Sequence, residues 1–161
     1  MIKSGGCFFY KRNRCFISAV ISHKGLPHIA TASHIFKKSG EHVIVDRVKV
    51  TVKSIFKDFD LALIEVPSES EFEITELGNA IVLESAFLAN EMHTIKCKVI
   101  NVGASLLYVG FPFSNMFQPG DSGSPIFQAG KVIGFISSIC MDNCIGTVIS
   151  SNILRSFTSN S

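Results

Sequence analysis

Gly120-Asp121-Ser122-Gly123-Ser124-Pro125 places flexible backbone on both sides of one hydroxyl, between two apolar segments. Glycines at 120 and 123 allow a tight turn whose backbone N–H groups point the same way, the arrangement a developing oxyanion requires. A Gly/Ser/Asp surface turn has the same composition. The stretch therefore acquires chemical meaning only if the chain also supplies a base for Ser122 and a group to orient that base. Its flanks decide the fold. Residues 96–102, 106–111, 125–127, 131–137 and 147–149 are short runs rich in β-branched and aromatic side chains, punctuated by Gly, Ser, Lys and Asn. That is the pattern of strands and turns.

The same pattern fills the first half, where strands are predicted at 7–10, 15–21, 28–32, 42–48, 50–56 and 61–66, with 11–14 turning the first pair into a hairpin. Pro67-Ser68-Glu69-Ser70-Glu71 is a polar break, and 72–79 reads as a connector before the pattern resumes at 81–83. Only the tail has helical spacing, with Ser151 ahead of apolar residues at 153, 154 and 157. The expectation is an all-β chain of two similar halves, 1–70 and 81–161, joined by 71–80 and closed by a short C-terminal helix. Six short strands in a half that small fit an antiparallel barrel or sandwich.

At 161 residues, 47% hydrophobic and 17% charged, the chain can bury about 70% of its unfolded surface. No apolar run approaches the roughly 18 residues of a membrane span, so no membrane partner is expected. A net charge of +2 with scattered Lys and Arg does not fit a nucleic-acid partner, whose contacts need basic residues clustered on one face. The first apolar run, 7–10, is too short for a secretory signal, and five cysteines are an odd number for a paired framework. An intracellular location is expected unless the chain is trimmed from a precursor. Cys140-Met141-Asp142-Asn143-Cys144 lacks a second ligand pair, so no metal is expected there. A loop disulfide or free thiols are the expectation, and Cys7 and Cys15 flank a hairpin they could bridge.

Five histidines compete for the role of base. His23 lies in a turn, His28 and His42 start strands, and His93 follows Glu91-Met92, where a solvated role is the default. His34 ends Thr31-Ala32-Ser33-His34, an apolar strand closing in small residues that can bring an imidazole to an interface. Asp58-Phe59-Asp60 enters the apolar run 61–64 and offers two carboxylates. One buried there needs a partner, because desolvating it alone costs several kcal/mol. On residue type alone, Asp58 and Asp60 remain rivals.

Here the residues carry a resemblance. Thr31–His34 resembles the T-A-A-H segment of chymotrypsin-like serine proteases, Asp60-Leu61-Ala62-Leu63-Ile64 is similar to their D-I-A-L-L, and 120–125 to G-D-S-G-G-P. The order His, Asp, Ser is also theirs, unlike subtilisin-type and α/β-hydrolase orders. The resemblance implies two six-stranded antiparallel β-barrels and a serine endopeptidase that needs no cofactor and takes polypeptide substrates. It makes Ser122 the nucleophile, His34 the general base and then acid, Asp60 rather than Asp58 the orienter, and the amides of Gly120 and Ser122 the oxyanion hole. It also implies that Ser137, Ser138 and Ile139 pair with substrate backbone, with Met116 at the base of the primary pocket and Ile139 and Gly146 on its walls. Without an acidic residue at 116, a small or medium apolar side chain is expected before the scissile bond.

Compact HtrA-type domains, similar over 146–154, and small viral proteases match the length. Three departures stand out. Ser124 replaces the second glycine after the nucleophile, Ile35 replaces the cysteine after the histidine, and no I-V-G-G cleavage motif accompanies Asp121. Asp121 is therefore expected to find a donor other than a cut N-terminus. Two other readings follow from the same resemblance: a catalytically weak homologue that holds peptide in its cleft, and a viral structural protein that cleaves only itself.

Overall fold

The structure, a computed structural model, describes residues 1–140 and 142–159. Eight strands make the first half: β1 (Cys7–Tyr10), β2 (Asn13–Phe16), β3 (Ala19–His23), β4 (Leu26–Ala32), β5 (His42–Val45), β6 (Val48–Thr51), β7 (Ser54–Phe56) and β8 (Leu61–Glu65). They form two four-stranded sheets, ordered β2-β1-β5-β6 and β3-β4-β8-β7. Alternation selects the inward faces. Phe8, Tyr10, Val43 and Val45 of one sheet meet Val20, Ile29, Ala62 and Ile64 of the other in a single buried cluster.

Two runs predicted as single strands, 15–21 and 50–56, are each divided. At the first break Ile17 exchanges backbone bonds with Gly5 and Gly6, while Ser18 N–H turns to Ala30 O (2.9 Å). At the second, Val52 bonds Gly40 and Glu41. In both places the chain changes partners and passes from one sheet to the other, as sheet corners do.

The second half holds β9 (Ser85–Ala89), β10 (Thr94–Val102), β11 (Leu106–Gly110), β12 (Pro125–Gln128), β13 (Lys131–Cys140) and β14 (Ile145–Ser150), closed into a barrel in the order β10-β11-β14-β13-β12-β9. The strand predicted at 81–83 is absent. Ile81 is tied instead to buried Gln128, donating to its Oε1 (2.7 Å) and accepting from its Nε2 (3.0 Å). Pairing starts at Ser85, where Ala86 and Leu88 alternate inward.

The halves share a third buried cluster. Ala19, Ala30, Ala32 and Leu61 of the first half pack there on Phe135 and Ile149 of the barrel and on Leu154 of helix α1 (Ser151–Phe157). Ser150 Oγ caps that helix by accepting the Asn152 N–H (3.1 Å). The 71–80 connector also crosses the seam, with Thr75 bonded to Val20 and Leu77 bridged to Val132. This packing fixes residues of one half against those of the other.

Candidate active site

His34 lies in a 3-10 turn, Ser33–Ile35, at the seam end of β4. Asp60 precedes β8, the antiparallel neighbour of β4, and Ala32 stands opposite Leu61 in their ladder. Adjacent strand ends therefore bring the two side chains together. Asp60 holds a left-handed backbone (φ 47°, ψ 42°), which aspartate tolerates better than most residues.

Four donors converge on its carboxylate. His34 Nδ1 lies 2.8 Å from Oδ2, the His34 backbone N–H donates to Oδ1 (2.8 Å), Ser33 Oγ donates to Oδ1 (3.1 Å), and Ser137 Oγ donates to Oδ2 (2.6 Å). Ser137 reaches Asp60 from the other half at a bulge in the β13–β14 ladder between Ile136 and Ser138, the kind of irregularity that re-aims a side chain. Burial pushes the Asp60 carboxyl up, but the bonds from His34 and Ser137 outweigh it and hold the group below its ordinary value. In return the Asp60 hydrogen bond raises the His34 imidazole above its ordinary value, against the opposing effect of burial. With Nδ1 bound to the carboxylate, Nε2 is the ring nitrogen free for chemistry. Asp58 is exposed and does not take part in this network.

Ser122 follows a second 3-10 turn, Pro119–Asp121. Its hydroxyl donates to Pro119 O at 3.3 Å, long for an O–H···O bond. Among the described residues no hydrogen bond joins it to His34, but both side chains line one cavity of about 730 Å³. Met116, Ser137, Ser138 and Ile139 line the same cavity. Gly146 is not among its lining residues: a Cβ there would meet Ile136 Cδ1 (2.8 Å) and Phe111 Cε2 (3.0 Å).

The expected donor pair of Gly120 and Ser122 is not converged in this turn. A trans peptide points its C=O and N–H in opposite directions. With the Pro119 carbonyl on Ser122 Oγ, the Gly120 N–H faces away. Gly120 keeps a negative φ, the type I arrangement closed by Asp121 N–H to Gln118 O (2.9 Å). Gly123, in contrast, needs to be glycine. Its φ is +84°, and a Cβ there would stand 2.8 Å from Thr31 Oγ1 and 3.3 Å from Phe16 O. Ser18 Oγ donates to Gly123 O, so the turn bearing Ser122 is seated on the first half.

Two expectations are corrected. His93 is not simply solvated: its Nε2 lies 2.8 Å from Asp121 Oδ1, so Asp121 has a side-chain donor. Nothing local in the sequence links the two, and the partnership exists only once the barrel closes. The five cysteines are free thiols, one of the two expected states, and what is corrected is the bridge suggested for Cys7 and Cys15. Cys7 stands opposite Phe16 and Cys15 opposite Phe8, so the two thiols face opposite sides of the β1–β2 ladder and cannot bridge. Cys144 is buried, with its Sγ 3.3 Å from Met116 Sδ, whereas Cys140 is exposed; Met141 lies outside the described residues.

Neither a protein-family model nor a curated protein sequence matches the chain. Solved structures do. Thermobifida fusca protease A aligns at a TM-score of 0.76 and 18% identity, over 97% of this chain and 95% of that one. The chymotrypsin of Cellulomonas bogoriensis aligns at 0.71 and 16%, over 97% and 95%. The fold is that of chymotrypsin-like serine proteases. A glutamic acid specific serine protease that uses a histidine triad in substrate binding shares this chymotrypsin-like fold at 0.70 and 15% identity, over 96% and 95% of the two chains.

Proposed function

We propose that the chain is a serine endopeptidase that cleaves polypeptides through an acyl-enzyme on Ser122. The observation that carries this reading is the four-donor hold on Asp60, which fixes the His34 ring with Nε2 free on the cavity that Ser122 also lines. His34 takes the Ser122 proton as the hydroxyl attacks the peptide carbonyl, then gives it to the leaving amine. Asp60 favours the charged imidazolium that forms between these steps. Units 1–70 and 81–161 contribute His34–Asp60 and Ser122 respectively, joined by the 71–80 connector. Fluorophosphonate labelling of Ser122, abolished in Ser122→Ala, tests the reading; a folded chain that takes no label sinks it.

The oxyanion site requires one movement. Turning over the Pro119–Gly120 peptide converts the type I turn to type II, which keeps the Asp121-to-Gln118 bond and needs φ > 0 only at Gly120. The Gly120 N–H then joins that of Ser122, and the long Ser122–Pro119 contact is released. A chain in which this peptide did not turn would bind substrate without cleaving it, so labelling also separates the enzyme from a peptide-binding module.

The cavity lining supports a specificity. Met116, Phe113, Phe117 and Ile139 supply its apolar lining, the polar lining is serine hydroxyls and Gln118, and among the described residues no Lys, Arg or histidine other than His34 lines it. That favours small or medium apolar side chains before the scissile bond and disfavours the glutamate selected by the neighbour with a histidine triad. Peptide-library profiling that returned Lys, Arg or Glu at this position would refute the assignment.

A further inference from the structure

The loop between β9 and β10 is closed by its own first side chain. Asn90 Oδ1 accepts the N–H groups of Met92 (2.8 Å) and His93 (3.1 Å), and the Asn90 N–H donates to His93 O (3.0 Å). Asn90 and His93 are therefore held rigidly, and both reach the same target. Asn90 Nδ2 donates to Asp121 Oδ1 (3.1 Å) and to Ser124 Oγ (2.9 Å), while His93 Nε2 bonds Asp121 Oδ1 (2.8 Å). Asp121 is 4% exposed, and its second oxygen, Oδ2, accepts the Gln118 N–H (2.8 Å). One buried carboxylate thus joins the loop to the turn that carries Gly120 and Ser122.

The donors to the Asp121 carboxylate are the side chains of Asn90 and His93 and the backbone N–H of Gln118. Ile2 is held elsewhere, by backbone bonds to Glu71 and Glu73 (2.9 Å each). Ser124, fully buried, adds a second tie just past the nucleophile, using the side chain that sets this chain apart from the G-D-S-G-G-P pattern.

We propose that His93 and Asn90 are positioning residues for the reaction: by fixing Asp121 and Ser124 they clamp Gln118 and 121–124, the frame within which the Pro119–Gly120 peptide turns, so that Ser122 and the turned Gly120 amide meet the substrate carbonyl in register. This rests on the protease reading above. Without its side-chain donors, a buried carboxylate must draw in water or re-orient, and either response moves the turn to which it is bonded. A displacement there of about 1 Å is enough to cost on the order of 10²-fold in rate.

The test compares His93→Ala with His93→Gln, whose amide Nε2 donates from nearly the same place as the imidazole. In His93→Ala, kcat falls about 10–100-fold while KM stays within about twofold, and His93→Gln recovers most of the loss. An unchanged kcat in His93→Ala overturns the proposal. So does an equal loss in both variants with matching drops in melting temperature, which marks a purely structural role. Backbone amide exchange at 118–124, followed by NMR, reads the clamp without turnover: faster in His93→Ala, close to wild type in His93→Gln. Unchanged exchange in His93→Ala overturns the clamp even if the wild type proves inactive, and a clamped wild type that takes no fluorophosphonate sinks the protease reading alone.

Discussion

The described residues hold two histidine–aspartate pairs, each closed by a 2.8 Å N···O contact, and they use the imidazole in opposite ways. In the first, His34 offers Nδ1 to Asp60 and keeps Nε2 for the cavity. In the second, His93 commits Nε2 to Asp121. The aspartates differ as well: the Asp60 side chain is 17% exposed and the Asp121 side chain 5%. Asp60 stands behind His34 and Ser137, which line the cavity, whereas Asp121 is the buried last residue of the 3-10 turn Pro119–Asp121. On the roles proposed above, the same pair of residue types serves as a proton carrier at one place and a fastener at the other. What decides is which ring nitrogen remains free and what it faces.

Removing the reacting groups gives the largest expected effect. Ser122→Ala or His34→Ala lowers kcat by about 10⁴–10⁶ in a peptide-hydrolysis assay, far beyond the loss in His93→Ala. Equal losses in the two histidine variants would erase the contrast. Asp60→Asn, which leaves the ring without its carboxylate, costs about 10⁴-fold. It also moves a pH profile. His34 must be neutral to accept a proton, so kcat/KM rises with pH through its pKa, which in the wild type lies above the ordinary value of about 6.5. The Asp60 hydrogen bond is the largest cause of that rise, so the inflection moves to lower pH in Asp60→Asn; one that stays in place would show that something else sets it.

A smaller effect tests the fastener. His93→Ala and Asp121→Asn act through one chain of contacts, so the double variant loses about as much kcat as the worse single one instead of the product of the two. Multiplicative losses would separate the residues. Gly120→Ala has the mildest expected outcome. A Cβ at Gly120 meets nothing within 4 Å in the resting turn, so the melting temperature holds, but left-handed backbone at alanine costs about 1–2 kcal/mol. About a tenfold lower kcat follows if the peptide must turn over; unchanged kcat would mean that it does not.

How much of this was legible in the sequence depended on how local each signal is. The all-β architecture and the C-terminal helix were readable because strand alternation and the apolar spacing at 153, 154 and 157 are written within a few residues, though the cap is Ser150 and not Ser151, which begins the helix. His34, Asp60 and Ser122 were readable as candidates because each sits in a short run with its own strand context. Residues 81–83 misled for the same reason: three apolar residues look like a strand, and only buried Gln128, far along the chain, shows that the segment is tied as a loop. Cys15–Ile17 looked continuous with β3 because a sheet corner leaves no mark on hydrophobicity. Ser137 was expected to face substrate backbone. It also bonds Asp60, through a bulge that depends on β14. His93 was hidden most completely, since Asn90 and His93 acquire meaning only against Asp121 and Ser124, residues of a strand-and-turn segment that follows much later.

The bond from Ser18 Oγ to Gly123 O joins residues 105 positions apart, and Gly123 rests on Phe16 and Thr31 as well. During synthesis, then, the seat made by Phe16, Ser18 and Thr31 emerges long before the turn bearing Ser122 that it receives, and β14, which closes the barrel of that turn, ends only at Ser150. Contacts this distant in sequence are slow to form. Topology thus acts as a timer: on the protease reading proposed above, the turn bearing Ser122 is fully seated only after β14 has joined β11 and β13 in the barrel.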